Sequence, residues 1–412
     1  MGGMARGILK LQWHDGNRIE LLQNGGQFFP ALCAAIDAAR ASVHLETYIF
    51  KLDRTGLKVL EHLRLACGRG VKVRVALDGF GSFECVDELM QRLTGMGATC
   101  RVYRPEPRGM NFYRFSLRRL RRLHRKVTVV DGQVAFVGGI NIIDDLDDVP
   151  NDGKGPRPRF DFAVSVRGPI VPQIDSEQNL LWLRMAPKHG NDMQRTYQRV
   201  RHWFLRRQRV LSEHMPVFDP GVRAAFLLRD NLRFRQTIEN VYLQGIETAR
   251  GDILIANAYF FPGMRLRRAL EQAARRGVRV RLLLQGRSEY ALQFRASRSM
   301  YGKLLDDGIE VYEYMASYLH AKVAVIDEAA TVGSSNLDPF SLLLAREANV
   351  FVKDAGFAQT LKTALEAEIA ANANHVTLES LQKRGLLGRA IDSTAYFLLR
   401  VGVSLTGKSS EY

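Results

Sequence analysis

The chain has 412 residues, is 46% hydrophobic and 25% charged, and carries a formal net charge of +16. This is an ordinary globular composition with room for two or three domains at roughly 100–200 residues each, so disorder, collagen and coiled coil are excluded for the whole chain. The longest uncharged stretch, Leu21 to Ile36, contains Gln, Asn, Gly and Pro, and no apolar run reaches the roughly 18 residues of a bilayer-spanning helix.

The opening residues MGGMARGILK lack the apolar segment of a signal peptide, and Arg6 stands where a myristoylation signal needs Ser or Thr. A helix is expected over 29–41, an apolar strand over Ser42–Phe50, a helix over 58–69 and a strand within GVKVRVALDG, residues 70–79. The same order returns as a helix over 235–250, a strand over Asp252–Phe260, a helix over 265–276 and GVRVRLLLQG at 277–286. The chain is therefore a duplication of βαβ units. The expected fold is α/β: two similar halves, each a mixed sheet with helices on both faces, and one active site at their interface. The halves run over 10–183 and 222–375. Residues 184–221 form a basic helical linker (helix Gln194 to Ser212, carrying Trp203), and 376–412 form an amphipathic tail. The run Asp144 to Arg159, rich in Asp, Gly and Pro, reads as a solvated loop.

Of 59 cationic residues 46 are Arg. Arg offers a planar donor fork that matches phosphate, although genome base composition alone also raises Arg. A surface this basic attracts polyanions, either nucleic acid or anionic lipid headgroups. Cys33, Cys67, Cys85 and Cys100 lack metal-ligand spacing and read as thiols in a reducing compartment.

Each half ends in one pattern: His124-Arg125-Lys126, VTVV, Asp131, and His320-Ala321-Lys322, VAVI, Asp327. One chance match of this spacing is expected about 0.016 times in such a composition, so two at corresponding places are no accident. Residues i and i+2 of a strand share a face, which puts His124 beside Lys126 and His320 beside Lys322. Asp131-Gly132 suits a hairpin turn, and the second hairpin should be one residue tighter. The returning strands, 134–137 and 330–332, end in Gly138-Gly139-Ile140-Asn141 and Gly333-Ser334-Ser335-Asn336; Gly139 stands where the second half has a hydroxyl.

Two His, two Lys and two Asn (Asn141, Asn336) brought together make a phosphodiester site that needs neither metal nor other cofactor. One imidazole attacks phosphorus and the other exchanges protons with the alcohols, while the ammonium and amide groups stabilise the phosphoryl oxygens. We take His124, Lys126, Asp131, His320, Lys322 and Asp327 as the catalytic set. Each His needs its second ring nitrogen held, and Asp161 and Glu347, which follow the His of their own halves, are the candidates. The other seven His read as structural or solvated.

The duplicated motif resembles that of the phospholipase D superfamily. Within it, LETYIF, RVALDG, IANAYFFPG, VGSSNLDPFSL and REANV are similar to bacterial cardiolipin synthases, most of all the B type, over about residues 10 to 375. The A type carries N-terminal membrane helices not seen in this sequence. The resemblance implies phosphatidyl transfer between two phosphatidylglycerol molecules, giving cardiolipin and glycerol, at the cytoplasmic face of the bacterial cell membrane as a peripheral enzyme. The rivals are a hydrolase of phospholipid or nucleic acid on the same scaffold, and an inactive binding module.

The basic run Arg114 to Lys126 abuts His124, which favours His124 as nucleophile; Arg118, Arg119, Arg121 and Arg122 are candidates for holding lipid headgroups. With Phe112, Tyr113 and Phe115 beside it, and with Ile391, Tyr396, Phe397, Leu398 and Val401 offering an apolar face in the tail, this run favours an anionic membrane as partner over nucleic acid.

Overall fold

A computed structural model of the chain describes residues 11–107, 121–147, 149–150, 156–186, 193–230, 234–338, 341, 344–383 and 385–404. The first half contributes β1 (Trp13–Gln23), α1 (Asn24–Ala38), β2 (Ser42–Thr47), α2 (Arg54–Gly68), β3 (Lys72–Asp78), α3 (Val86–Gly95), β4 (Thr99–Tyr103), β5 (Lys126–Val130), β6 (Val134–Gly138), β7 (Phe162–Arg167) and α4 (Val171–Arg184). After α5 (Met193–Glu213) the order returns as β8 (Val222–Arg229), α6 (Thr237–Thr248), β9 (Asp252–Asn257), α7 (Met264–Arg275), β10 (Arg279–Gln285), α8 (Ala291–Arg298), α9 (Tyr301–Asp306), β11 (Glu310–Tyr314), β12 (Lys322–Ile326), β13 (Ala329–Gly333) and β14 (Glu347–Lys353). The chain continues through α10 (Ala355–Asn372), β15 (Ala373–Val376), α11 (Leu378–Gln382) and α12 (Leu386–Ser404).

The strands form one 15-stranded sheet in the order β15-β11-β10-β9-β12-β13-β14-β8-β1-β7-β6-β5-β2-β3-β4. Outward from the antiparallel β8–β1 pair the order is the same in both directions, except that β15 adds an edge strand to the second half with no counterpart in the first. In each half the three strands of the βαβ units are parallel, and the strands that carry and follow the motif are antiparallel.

Every residue of KVTVV in β5 and of KVAVI in β12 is buried, with successive side chains on opposite faces. Val127 and Val129 point into a core shared by both halves, while Val130 points to a core under α1 and α2. A strand buried on both faces has no polar alternation to display, hence the continuous apolar runs. Helices α1 to α3 cover the outer face of the first half, and α6 to α9 that of the second. Between the two half-sheets lie the shared core and residues of α4 and α10.

Several boundaries differ from the sequence reading, among them the start of α2, at Arg54 rather than 58, and the end of β9, at Asn257 rather than Phe260; two more bear on the site. Helix α1 begins at Asn24 rather than 29 and runs through Pro30. Burial of Phe28 and Phe29 offsets the hydrogen bond that Pro30 forgoes, and Asn24 ties the helix start to Asp161 through two hydrogen bonds, 2.9 and 3.0 Å. Strand β2 ends at Thr47 rather than Phe50, because Tyr48 and Ile49 turn to line a cavity. The second hairpin is indeed tighter: Val130 pairs with Val134, but Ile326 with Ala329.

Candidate active site

His124 and His320 sit just before β5 and β12 and line one cavity of about 450 Å³ between the halves. Each is seated by the opposite half. The His124 amide donates to Arg346 O (3.0 Å) and the Arg346 amide to Arg122 O (2.8 Å). In the same way the His320 amide donates to Phe160 O (2.8 Å) and the Phe160 amide to Tyr318 O (2.9 Å). Arg346 and Phe160 immediately precede Glu347 and Asp161, so these bridges deliver a carboxylate of one half to the imidazole of the other.

The pairing is crossed. His124 Nδ1 lies 3.1 Å from Glu347 Oε2, and His320 Nδ1 lies 2.6 Å from Asp161 Oδ2. Each carboxylate thus serves the partner half rather than its own, correcting the expectation drawn from sequence order. Nδ1 held this way leaves Nε2 of each ring for chemistry. Lys126 Nζ donates to the His124 carbonyl at 2.7 Å, and Lys322 Nζ to that of His320, which places each ammonium beside its His as the i, i+2 spacing predicts.

Asp131 and Asp327 are not in this site, and their place in the catalytic set is corrected. They open the hairpin turns at the far ends of β5 and β12 with φ of 53° and 49°. Asp131 accepts from the amides of Arg40, Ala41 and Ser42 at 2.7–2.8 Å, and Asp327 from those of Arg250, Gly251 and Asp252 at 2.9–3.0 Å. Burial raises each carboxyl, but the three amide donors outweigh it and hold both below the ordinary carboxylate range. These residues clamp the start of β2 and β9 onto the hairpins.

The two carboxylates are braced differently. Ser334 Oγ donates to Glu347 Oε2 at 2.6 Å, whereas a Cβ at Gly139, its counterpart, would lie 2.4 Å from Asp161 Oδ1. Gly139 is therefore required by the close approach of Asp161. Asn141 and Asn336 line the cavity; Asn141 Oδ1 accepts from the Ile49 amide at 3.2 Å, and Asn336 Nδ2 lies 3.4 Å from Ser341 Oγ.

Among the headgroup candidates, Arg118 and Arg119 lie outside the described residues, as do Phe112, Tyr113 and Phe115. Arg121 does not line the cavity. Arg122 does, but it is nearly buried, bonded to Glu106 and stacked over Phe80 at 4.9 Å, so it shapes the wall. Sequence reasoning missed Tyr48, whose ring packs on His124 at 4.7 Å, and the group Arg159, Tyr259 and Glu289. IANAYFFPG and the end of the Asp144–Arg159 loop gave only a weak signal for the last.

Burial sets the protonation of the centre. It lowers His124 and takes His320 well below the usual imidazole value, so burial favours the neutral form of each ring against the pull of the carboxylates beside it. It also brings Lys126 down to about 7 and Lys322 to about 8, and raises Asp161 to about 6. Neutral, oriented imidazoles with adjacent ammonium groups suit attack on phosphorus and proton exchange with an alcohol.

Comparison with known proteins agrees with this geometry. The family model described as "Cardiolipin synthase, PLD-like domain" matches residues 32–145 and 242–369. The chain is 38% identical to cardiolipin synthase B of Escherichia coli K12 over 97% of its own length and 92% of that protein's. It is 39% identical to cardiolipin synthase B of Salmonella typhi over 97% and 92%, and 28% identical to the probable cardiolipin synthase YwiE of Bacillus subtilis over 92% and 71%. The crystal structure of phosphatidylserine synthase from Haemophilus influenzae superposes with a TM-score of 0.64 over 94% of each chain at 13% identity, a likeness of fold. With a site built from both copies of the motif and relatives matched over nearly its whole length, the chain belongs to the cardiolipin synthase family of the phospholipase D superfamily, and within it to the B type.

Proposed function

We propose that the protein is a phosphatidyltransferase that makes cardiolipin and glycerol from two molecules of phosphatidylglycerol. The observation that carries this reading is the pair of imidazoles, one from each half and each held by a carboxylate of the other, facing one cavity beside Lys126 and Lys322. His124 Nε2 attacks phosphorus of the donor lipid; the bond from phosphorus to the headgroup glycerol oxygen breaks, and His320, which enters the step as the imidazolium favoured by Asp161 on its Nδ1 and by the charge of the bound phosphodiester, gives that oxygen its Nε2 proton. Glycerol leaves. The terminal hydroxyl of the second phosphatidylglycerol then returns a proton to His320 while its oxygen bonds to phosphorus, and the bond to His124 breaks. Lys126, Lys322, Asn141 and Asn336 stabilise the non-bridging oxygens. A positioned acceptor reaches an effective molarity on the order of 10⁵ M against ~55 M for water, which favours transfer over hydrolysis.

The enzyme works peripherally at the cytoplasmic face of the bacterial membrane in this reading. Among the described residues no helix is long and apolar enough to cross a bilayer. Helix α12 packs one face inward, through Ala395, Leu399, Tyr396 on Phe261 and the Asp392–Arg295 ion pair, so Tyr396 leaves the outward face expected for it. Ile391, Phe397, Leu398 and Val401 remain exposed, as does Leu292 on the adjacent α8. Tyr290, also exposed, lines the cavity. This apolar patch near the cavity on a chain of net charge +16 suits an anionic bilayer surface. Incubation with phosphatidylglycerol vesicles tests the function: cardiolipin and glycerol in equal amounts are expected, and phosphatidic acid without cardiolipin would overturn it.

A further inference from the structure

The twofold likeness of the halves breaks on one wall of the cavity. Beside His124 stand Tyr48 and Phe80, the latter under Arg122. On the second half the wall carries Glu289, whose Oε1 accepts from Arg159 Nη1 at 2.7 Å and whose Oε2 accepts from the Tyr259 hydroxyl at 2.8 Å. The alignment of β2 with β9 puts Ile49 where Tyr259 is, and that of β3 with β10 puts Ser82 where Glu289 is. At the position that corresponds to Glu289 across the pseudo-twofold axis stands the hydroxyl of Ser82, not a carboxylate.

A carboxylate is a poor neighbour for a phosphodiester, whose charge it repels. It is a good one for hydroxyl groups, which donate to it. Each Glu289 oxygen already accepts one hydrogen bond and keeps a further lone pair, and the Tyr259 oxygen can itself accept. Arg159 offsets the charge and fixes the carboxylate plane. The cluster is partly open to the cavity, with 18% of the Glu289 side chain exposed, and it lies within electrostatic reach of His320.

We propose that Tyr259 and Glu289, braced by Arg159, bind the polyol headgroup of the acceptor and select a vicinal diol over a simple alcohol. This rests on the transferase reading above and adds the side of the cavity from which the acceptor enters. One hydroxyl of the diol donates to Glu289 while the terminal one faces His320, which takes its proton as its oxygen bonds to phosphorus and the bond to His124 breaks. A site built to bind a hydroxyl rejects an analogue lacking it, because its polar groups then stay unpaired.

The test uses phosphatidylglycerol vesicles with equal concentrations of 1,2-propanediol and 1-propanol, which differ by one hydroxyl. The wild-type protein is expected to favour the phosphatidyl-propanediol product by at least tenfold. Glu289→Gln and Tyr259→Phe should each bring that ratio toward one, Glu289→Gln the further. The ratio is measured within one sample, so it does not depend on how much variant is folded. A ratio unchanged in both variants, with all products reduced alike, overturns the proposal and leaves a structural ion pair. Wild-type protein that makes cardiolipin but shows no preference for the diol also overturns it alone; wild-type protein that makes only phosphatidic acid overturns it together with the transferase reading.

Discussion

Glu347, at the start of a strand in the second half, holds the Nδ1 edge of His124 in the first at 3.1 Å, and Ser334 holds Glu347 in turn at 2.6 Å. The chain reaches this arrangement because Arg346 bridges to the segment around Leu123, as Phe160 bridges to Leu319 on the other side. Neither half therefore holds a complete catalytic histidine. Glu347→Gln and Asp161→Asn should each lower turnover roughly 10²- to 10⁴-fold by freeing the ring tautomer. Nitrogen-15 NMR of the imidazoles checks the crossing: Glu347→Gln should change the tautomer signal of His124 and leave that of His320, and the reverse pattern would refute it.

The hairpin aspartates should behave as stability residues. Asp131→Ala removes an acceptor for three backbone amides and should cost about 2 kcal/mol, a loss of a few degrees in Tm. Turnover per folded molecule should stay within about threefold of wild type, in contrast to His124→Ala. Because the folded carboxyl lies below its unfolded value, this stabilisation is present above about pH 4 and is lost as pH falls through the folded value. Thermal melts at pH 7 and pH 3 should show the wild type and Asp131→Ala converging at the lower pH.

The pH dependence of kcat/KM follows from the buried centre. The nucleophile His124 is kept neutral by burial, so the acid limb should lie below about 6.5. Raising the pH strips the proton from Lys126 near 7 and from Lys322 near 8, and with it the charge that stabilises the phosphoryl oxygens, so kcat/KM should fall on the alkaline side. Bound phosphodiester favours the ammonium form, so the alkaline limb of kcat should lie higher. A kcat/KM flat from pH 6 to 9 would contradict this electrostatic account.

Helix α12 predicts how the protein meets lipid. The purified chain should sediment with anionic vesicles and be released by high salt, which shortens the Debye length to about 3 Å at 1 M. Replacing the exposed Phe397 and Leu398 by Ser should weaken vesicle binding several-fold without changing the melt or the turnover of detergent-dispersed substrate. Equal binding to zwitterionic and anionic vesicles would remove the electrostatic part of the argument.

Much of the fold was legible because repetition repeats its own errors and successes: GVKVRVALDG and GVRVRLLLQG both became the parallel strands they resemble, β3 and β10. The His and Lys of each motif were legible because strand periodicity places them locally. The partners of His124 and His320 were not, since spacing along one half carries no information on contacts with the other. Asp131 and Asp327 misled for a related reason: a carboxylate five residues beyond a buried Lys lies at the opposite end of a strand some 17 Å long. Glu289 stands beyond the repeated GVRVRLLLQG, Tyr259 has only Ile49 as its counterpart in the repeated strand segment, and only folding brings the two to Arg159.

The central claim is that one histidine from each half acts at a single phosphorus. Phosphorus-labelled phosphatidylglycerol should be turned over briefly and the protein quenched under alkaline denaturing conditions, with label located by peptide mapping. Label on His124 in the wild type, persistent label in His320→Ala, none in His124→Ala, and loss of turnover in both variants are the results expected. Label on His320 in the His124→Ala variant, or near-native transfer by either single variant, would contradict the account.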